Sequence, residues 1–285
     1  MRYATVRSPQ GKTVLVRIDE NDTATPIGLA FQSVGSDPLR VLFARRKNPS
    51  KAKAIAKAFP MSKVRKFFSP VTAPSKVVSI GANFRKHIEE TGLSVPPEPR
   101  SFAKFPNALI GHRASIKYRR SDTNQVDFEN ELMIVIGRRA RNVKVKDALK
   151  YVFGYTVVND ITARDHQFGG DQYTRCKSFD TFMPVGPWIV DTTEITDPQN
   201  LAIRTSVNGK ILQNSTTADQ IFSCAEIIEF LSRYMTLEPG DMITTGTPEG
   251  VGWGRKPQRF LKHYDILESE IEGIGILRNP IKVYK

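Results

Sequence analysis

Short apolar runs recur along most of the chain, each closed by a turn signal. Near the N-terminus, TVLVRID and TPIGLAF read as two strands flanking the turn-rich ENDTA. SKAKAIAKAF, after Asn48-Pro49, reads as a short helix with alanines inward and lysines in water. VVSIGANF is an apolar strand that ends in a glycine turn. Further β-like runs follow in ELMIVIG, YTVVNDI, GPWIV, LAIRTSVNG, DMITTG and ILESEIEGIG. SVNGKIL carries Asn208-Gly209 at its centre, the strongest short hairpin signal. Clear helical periodicity is confined to KVKDALKYV and CAEIIEFLSRYM. The pattern predicts a β-dominated α+β fold with short helices at its edges, and it shows no internal repeat.

Residues 1–75 are expected to form a small N-terminal α+β domain. SPVTAPSK, with Pro70 and Pro74, reads as the linker, and 76–285 as the main domain. IEETGLSVPPEPRSFAKFPN is charged and Pro-rich, too polar for core, and is a candidate mobile flap.

Charge changes this picture in one place. The net charge is +13, and residues 1–75 hold 14 Lys/Arg against 4 Asp/Glu. From Val41 to His87 there is no acidic residue, and Arg45, Arg46, Lys47, Lys51, Lys53, Lys57, Lys63, Arg65 and Lys66 fall there. Such a patch attracts polyanions, but no zinc-finger, RNP-like or dsRNA-binding signature accompanies it. A solvated face explains it better than a nucleic-acid partner. The two cysteines, Cys176 and Cys224, lie far apart, which argues against a disulfide framework. MRYATVRSPQGK lacks the apolar segment of a secretory signal, and no apolar run approaches membrane-helix length. The expected setting is cytoplasmic, with no membrane partner.

The candidate chemistry lies in five places. Glu129 and Glu131, two apart at the start of an apolar strand, project to the same side. Paired buried carboxylates are tolerable when a cation neutralises them. Asp160, at the end of YTVV, supplies a third carboxylate, and an all-oxygen set suits Mg²⁺ or Mn²⁺ rather than Zn²⁺. Arg164 and Gln167 are placed to bind a substrate carboxylate, and a salt bridge to Asp165 or another acid is the alternative for Arg164. Lys177 can stabilise developing enolate or alkoxide charge. His87 and Glu90, three apart, are neighbours on a helix, where the carboxylate leaves one imidazole nitrogen free as a base. The glycine-rich turn around Thr247 presents backbone N–H groups and a hydroxyl to an anion, without the ending of a P-loop.

Taken in order, His87-x-x-Glu90, Glu129-x-Glu131, Asn159-Asp160-x-x-x-Arg164-Asp165, Lys177-Ser-Phe-Asp180, Pro184-x-Gly186-Pro187-Trp188, Val207-Asn208-Gly209 and Gly246-Thr247-Pro248 closely resemble the fumarylacetoacetate hydrolase family over about residues 76–282. The resemblance implies a rolled mixed β-sandwich of the C-terminal type found in that family, behind a small variable N-terminal domain. It also implies Mg²⁺ or Mn²⁺ on Glu129, Glu131 and Asp160, a lid dyad of His87 and Glu90, and homodimers. Arg164, Gln167, Lys177 and Thr247 match substrate-contact positions. There are two departures. Ile80 stands where some members carry a fourth carboxylate, which leaves that coordination position to water, as in the acylpyruvase-like branch. Tyr264-Asp265 replaces a common Gly-Asp pair and disturbs a turn rather than the chemistry.

The expected reaction is hydrolysis of a C–C bond in a small β-diketo acid of the acylpyruvate type. The metal chelates the 2-oxo acid, and Arg164, Gln167 and Thr247 orient its carboxylate. The flap from Ile88 to Phe105 closes and brings Glu90 against His87, the dyad activates water, and metal and Lys177 hold the pyruvate enolate. Oxaloacetate decarboxylation, or isomerisation or hydration of unsaturated 2-oxo acids, is the alternative on the same site. Specificity is expected in the flap and in Phe84, Phe102 and Phe168.

Overall fold

A computed structural model describes residues 1–29, 37–44, 47–168 and 172–285. Ala30, Phe31, Arg45 and Arg46, which belong to the predicted second strand and the basic run, lie outside the described residues.

The centre of the molecule is a strand buried on both faces, Asn130–Ile136 (NELMIVI). A run this uniformly apolar has no solvent side, so it must lie inside a sheet covered twice. Its antiparallel neighbour is Val152–Asn159, in a register that sets Asn130 opposite Asn159 and Leu132 opposite Val157. Met183–Asp191 pairs on the far side of that strand. On the other flank come Met242–Thr244, then Val77–Gly81 in parallel, then Arg100–Lys104 at the edge. The last of these is a difference from the sequence expectation, since Arg100–Lys104, within the predicted flap, is a paired strand. Period-2 alternation in RSFAK turns alternate side chains to one face, and its backbone finds partners in Val77–Gly81.

The N-terminal strands Arg2–Arg7, Thr13–Ile18 and Thr23–Leu29 extend the same sheet, with Tyr3 opposite Ile189. Tyr3, Leu15, Ile27 and Leu39 share one buried cluster with Met133, Val135 and Val185 of the body. Two elements here differ from the sequence reading. KAKAIAKAF is not a helix: Pro49–Lys51 makes one 3-10 turn, and Ile55 N–H then donates to Pro26 O. Its alanines and lysines alternate with period 2, which offers a helix no apolar stripe. The helix forms instead at Pro38–Ala44, where the Asp37 carboxylate accepts from Arg40 N–H at 2.9 Å.

A second sheet runs Lys210–Thr216, Ala202–Val207, Ile266–Ile271, Gly275–Tyr284, Ile116–Arg119. Its hairpin turns at Asn208 and Gly209, both at positive φ (53° and 79°), as that dipeptide predicts. Helix Cys224–Tyr234 opens with a Ser223/Glu226 capping box. It buries Ile227, Ile228 and Leu231 against Ile134, Val157 and Ile271, so one core joins helix and both sheets. The result is β-dominated, as the pattern predicts, and is the mixed sandwich that the resemblance implies. Among the described residues no helix is long and apolar enough to cross a membrane.

Candidate active site

The site grows out of the register of the two central strands. Asn159 accepts from Glu129 N–H through Oδ1 (2.8 Å) and donates through Nδ2 to Ser269 Oγ (2.9 Å). Asp160 N–H donates to Glu129 O at 2.7 Å. Asn130 points the other way and donates to Arg204 O in the second sheet. Alternation therefore leaves Glu129 and Glu131 on the same side, where they meet Asp160. Ligand oxygens of the three buried carboxylates lie within 4.8 Å of one another.

Three buried cations surround them. Lys177 Nζ donates to Glu129 Oε2 (2.6 Å), Asp160 Oδ2 (2.7 Å) and Thr162 Oγ1 (3.0 Å). Arg164 Nε donates to Asp127 Oδ2 and Nη1 to Gln167 Oε1, both at 2.8 Å. Its Nη2 sits 2.6 Å from Glu129 Oε1 as an ion pair without hydrogen-bond geometry. Arg164 thus pairs with Asp127 and Glu129; Asp165 accepts from Thr123 and Asn124 instead. The third cation is Lys104, which no sequence motif marks. It comes from the edge strand, is 1% exposed, and places Nζ 2.5 Å from Asp160 Oδ1 and 2.9 Å from Phe182 O.

The carboxylates are not equivalent. Burial works against ionising Glu129, but Lys177 and Arg164 outweigh it and hold the carboxyl down to about 2. Glu131 has no cation of its own. Burial, then the charges of Asp160 and Glu129, push its carboxyl well above the ordinary range. Burial also lowers Lys104, which Asp160 only partly offsets, whereas Asp160 and Glu129 overcome burial at Lys177 and raise it. An all-oxygen set containing one uncompensated carboxylate suits a hard divalent cation.

The loop after Met242–Thr244 behaves differently from the expectation. Its amides bind the chain's own acids: Gly246 N–H donates to Glu131 Oε2 (2.7 Å), Gly250 N–H to Glu90, and Gly252 and Trp253 N–H to Asp127. Gly246 has φ +88°, and a Cβ there would lie 2.8 Å from Asn83 Cβ. Thr247 lines the cavity and accepts from Gln213 Nε2 at 2.9 Å.

His87 and Glu90 lie on the short helix Arg85–Thr91, with Nδ1 3.4 Å from Glu90 Oε2. The helix is tied down in front by Asn83, whose side chain bonds Thr245 O and both backbone groups of Phe222. Beside the triad lies a cavity of about 110 Å³, whose lining includes neither Glu90 nor Lys104. His87, Glu129, Glu131, Asp160, Arg164, Gln167, Lys177 and Thr247 all line it, as do Ile80 and Phe102. Phe168, 62% exposed, packs at a tilt against Trp253 at its rim. Phe84 is fully buried and does not reach it.

Residues 76–282 match the family described as fumarylacetoacetate (FAA) hydrolase, C-terminal. The chain belongs to the fumarylacetoacetate hydrolase family. It is 44% identical over 224 residues to the Bos taurus protein named oxaloacetate tautomerase FAHD2A, mitochondrial, covering 78% of this chain and 71% of that one. It is 44% identical over 219 residues to oxaloacetate tautomerase YisK of Bacillus subtilis, covering 76% and 73%. The crystal structure described as 5-carboxymethyl-2-hydroxymuconate delta-isomerase from Mycobacterium smegmatis superposes with a TM-score of 0.81 at 34% identity over both full chains. The family and its rolled fold are those the ordered motifs imply. With one relative named mitochondrial and another bacterial, the cytoplasmic placement rests on the sequence alone.

Proposed function

We propose that this chain is a metal-assisted enzyme that moves protons on a small 2-oxo acid of the oxaloacetate type, interconverting keto and enol forms. The observation that carries the reading is the convergence of three carboxylates, Lys177 and His87 on one small cavity, with Glu90 behind His87 and Lys104 behind Asp160. A divalent ion on Glu129, Glu131 and Asp160 would act as a Lewis acid toward the 2-oxo carbonyl and its carboxylate. Tautomerisation removes a proton from C3 and adds one to the 2-oxo oxygen. His87, with its own proton on Nδ1 toward Glu90, offers Nε2 to take the first. The second comes from solvent, while Lys104, a buried ammonium outside the cavity lining, holds Asp160 in place. Lys177 stays charged and holds Glu129 and Asp160 in place. The names of the relatives support this order of readings.

C–C hydrolysis of an acylpyruvate, which the sequence places first, is the second reading. The same His87–Glu90 pair favours it, since activating water asks the same of an imidazole. Mg²⁺- or Mn²⁺-loaded protein separates the two. Enolic oxaloacetate, followed by its ultraviolet absorbance, should ketonise faster than in buffer; acetylpyruvate should release pyruvate only if the second reading holds. Full activity in Glu129→Ala, on whichever substrate turns over, would sink both. A homodimer is part of the proposal, tested by light scattering against the 32.0 kDa chain.

A further inference from the structure

The edge strand that delivers Lys104 carries a second cation. Arg100, Phe102 and Lys104 alternate along Arg100–Lys104 and therefore share a face. All three serve the same site: Lys104 reaches Asp160, while Phe102 and Arg100 line the cavity. Phe102 is wedged between Lys177, 5.3 Å from its ring, and Tyr173 at 5.4 Å. Four residues of strand set Arg100 roughly 13 Å further out than Lys104. It is exposed there, at the open side of the cavity.

The cavity's other cations are already committed. Lys104 pairs with Asp160, Arg164 with Asp127 and Glu129, and Lys177 with Glu129 and Asp160. Arg100 makes no ion pair with any described residue. Four carboxylates (Asp127, Glu129, Glu131 and Asp160) face three cations, which leaves one negative charge. A divalent ion turns that into one positive charge, enough for the single carboxylate of a 2-oxo acid head. A second carboxylate has no counterpart in the closed cluster. Its natural partner is the uncommitted guanidinium, which binds carboxylates through two parallel N–H groups. Among the described lining residues, Leu93, Phe168 and Trp253 offer mostly hydrocarbon, and Thr91 and Tyr173 offer only hydroxyls.

We infer that Arg100 selects a 2-oxo acid bearing a second carboxylate at its far end. This rests on the proposed function: oxaloacetate is such a diacid, and the inference names the residue that reads its second carboxylate. Arg100 is a specificity residue, not part of the proton-transfer machinery.

The test uses stable 2-hydroxy acids as head-group mimics. Malate and 2-hydroxybutanoate differ by a carboxylate in place of a methyl group. Binding of each to Mn²⁺-loaded wild type, Arg100→Met and Arg100→Lys would be measured by calorimetry. Wild type should favour malate roughly ten- to hundredfold, the range of a charged hydrogen bond. Arg100→Met should bring that ratio near one without weakening 2-hydroxybutanoate, and Arg100→Lys should restore part of it. In turnover, Arg100→Met should raise KM for oxaloacetate and leave kcat close to wild type. An unchanged ratio in Arg100→Met, or equal weakening of both acids, would overturn the assignment while leaving the 2-oxo acid site intact. Binding of neither acid by wild type that holds Mn²⁺ would instead overturn the reading beneath it, and this inference with it.

Discussion

Lys104 Nζ lies 2.5 Å from Asp160 Oδ1, joining an edge strand to the metal triad through two fully buried charges. Removing one partner of such a pair leaves an uncompensated charge in a poor dielectric. Asp160 keeps Lys177, so Lys104→Met should cost about 3 kcal/mol of unfolding free energy, the low end for a broken buried pair. The extra negative charge should at the same time tighten Mn²⁺ binding. Urea denaturation with and without Mn²⁺ checks both, and a variant that is less stable yet binds metal less well would contradict this account.

Glu131 is strained by its own neighbours. Burial raises its pKa first, and the like charges of Asp160 and Glu129 add to that. Glu131→Gln removes the charge but keeps an oxygen for Gly246 N–H. The metal-free variant should therefore be at least as stable as wild type, while Mn²⁺ affinity drops at least tenfold, the lower bound set by losses in mere outer-shell partners. Thermal melts along a Mn²⁺ titration read both effects. A marked loss of metal-free stability would show that Glu131 contributes to the fold as an anion.

Those two residues mark the limit of what the sequence discloses. Glu129 and Glu131 were legible because alternation is local: two apart on a strand means one side. Asn208-Gly209 was legible for the same reason. Lys104 was not, because only a partner 56 residues away makes a buried lysine affordable, and its own surroundings are prolines and charges. The amides of Gly246, Gly250 and Gly252 showed an anion site, but which anions they hold follows from distant strands. KAKAIAKAF suggests a helix with alanines inward and lysines in water, but its repeat of 2 gives no helical stripe, and the helix forms behind Asp37-Pro38 instead.

Tyr264 sits at φ +71° and is 81% exposed, at the place where the family often has glycine. A left-handed backbone costs a residue with a Cβ roughly 1–2 kcal/mol. A tilted ring contact with His263, at 3.8 Å between ring centres, offsets some of it. Tyr264→Gly should gain about 1 kcal/mol once the freer unfolded chain is counted. The site lies elsewhere, so kinetic constants should not move. A destabilised variant would mean that the ring contact outweighs the backbone term.

His112 gives the fold a pH limit away from the cavity. Its Nδ1 accepts from Arg278 N–H at 3.1 Å, and the ring stands edge-on to Phe67 of the N-terminal segment, 5.0 Å between centres. The acceptor role requires a neutral ring. Burial first, then Arg113 and Arg278, hold its pKa down to about 4 against an ordinary 6.5. Between those values the unfolded chain binds a proton that the folded chain refuses, so stability rises with pH across this window. The contribution is complete above pH 6.5, is lost as pH falls toward 4, and is flat below. Discounted for partial exposure, it should amount to about 1–2 kcal/mol. His112→Asn retains an acceptor and cannot titrate, so its unfolding free energy should fall less steeply than wild type between those limits. Parallel pH profiles for the two proteins would rule out His112 as the source.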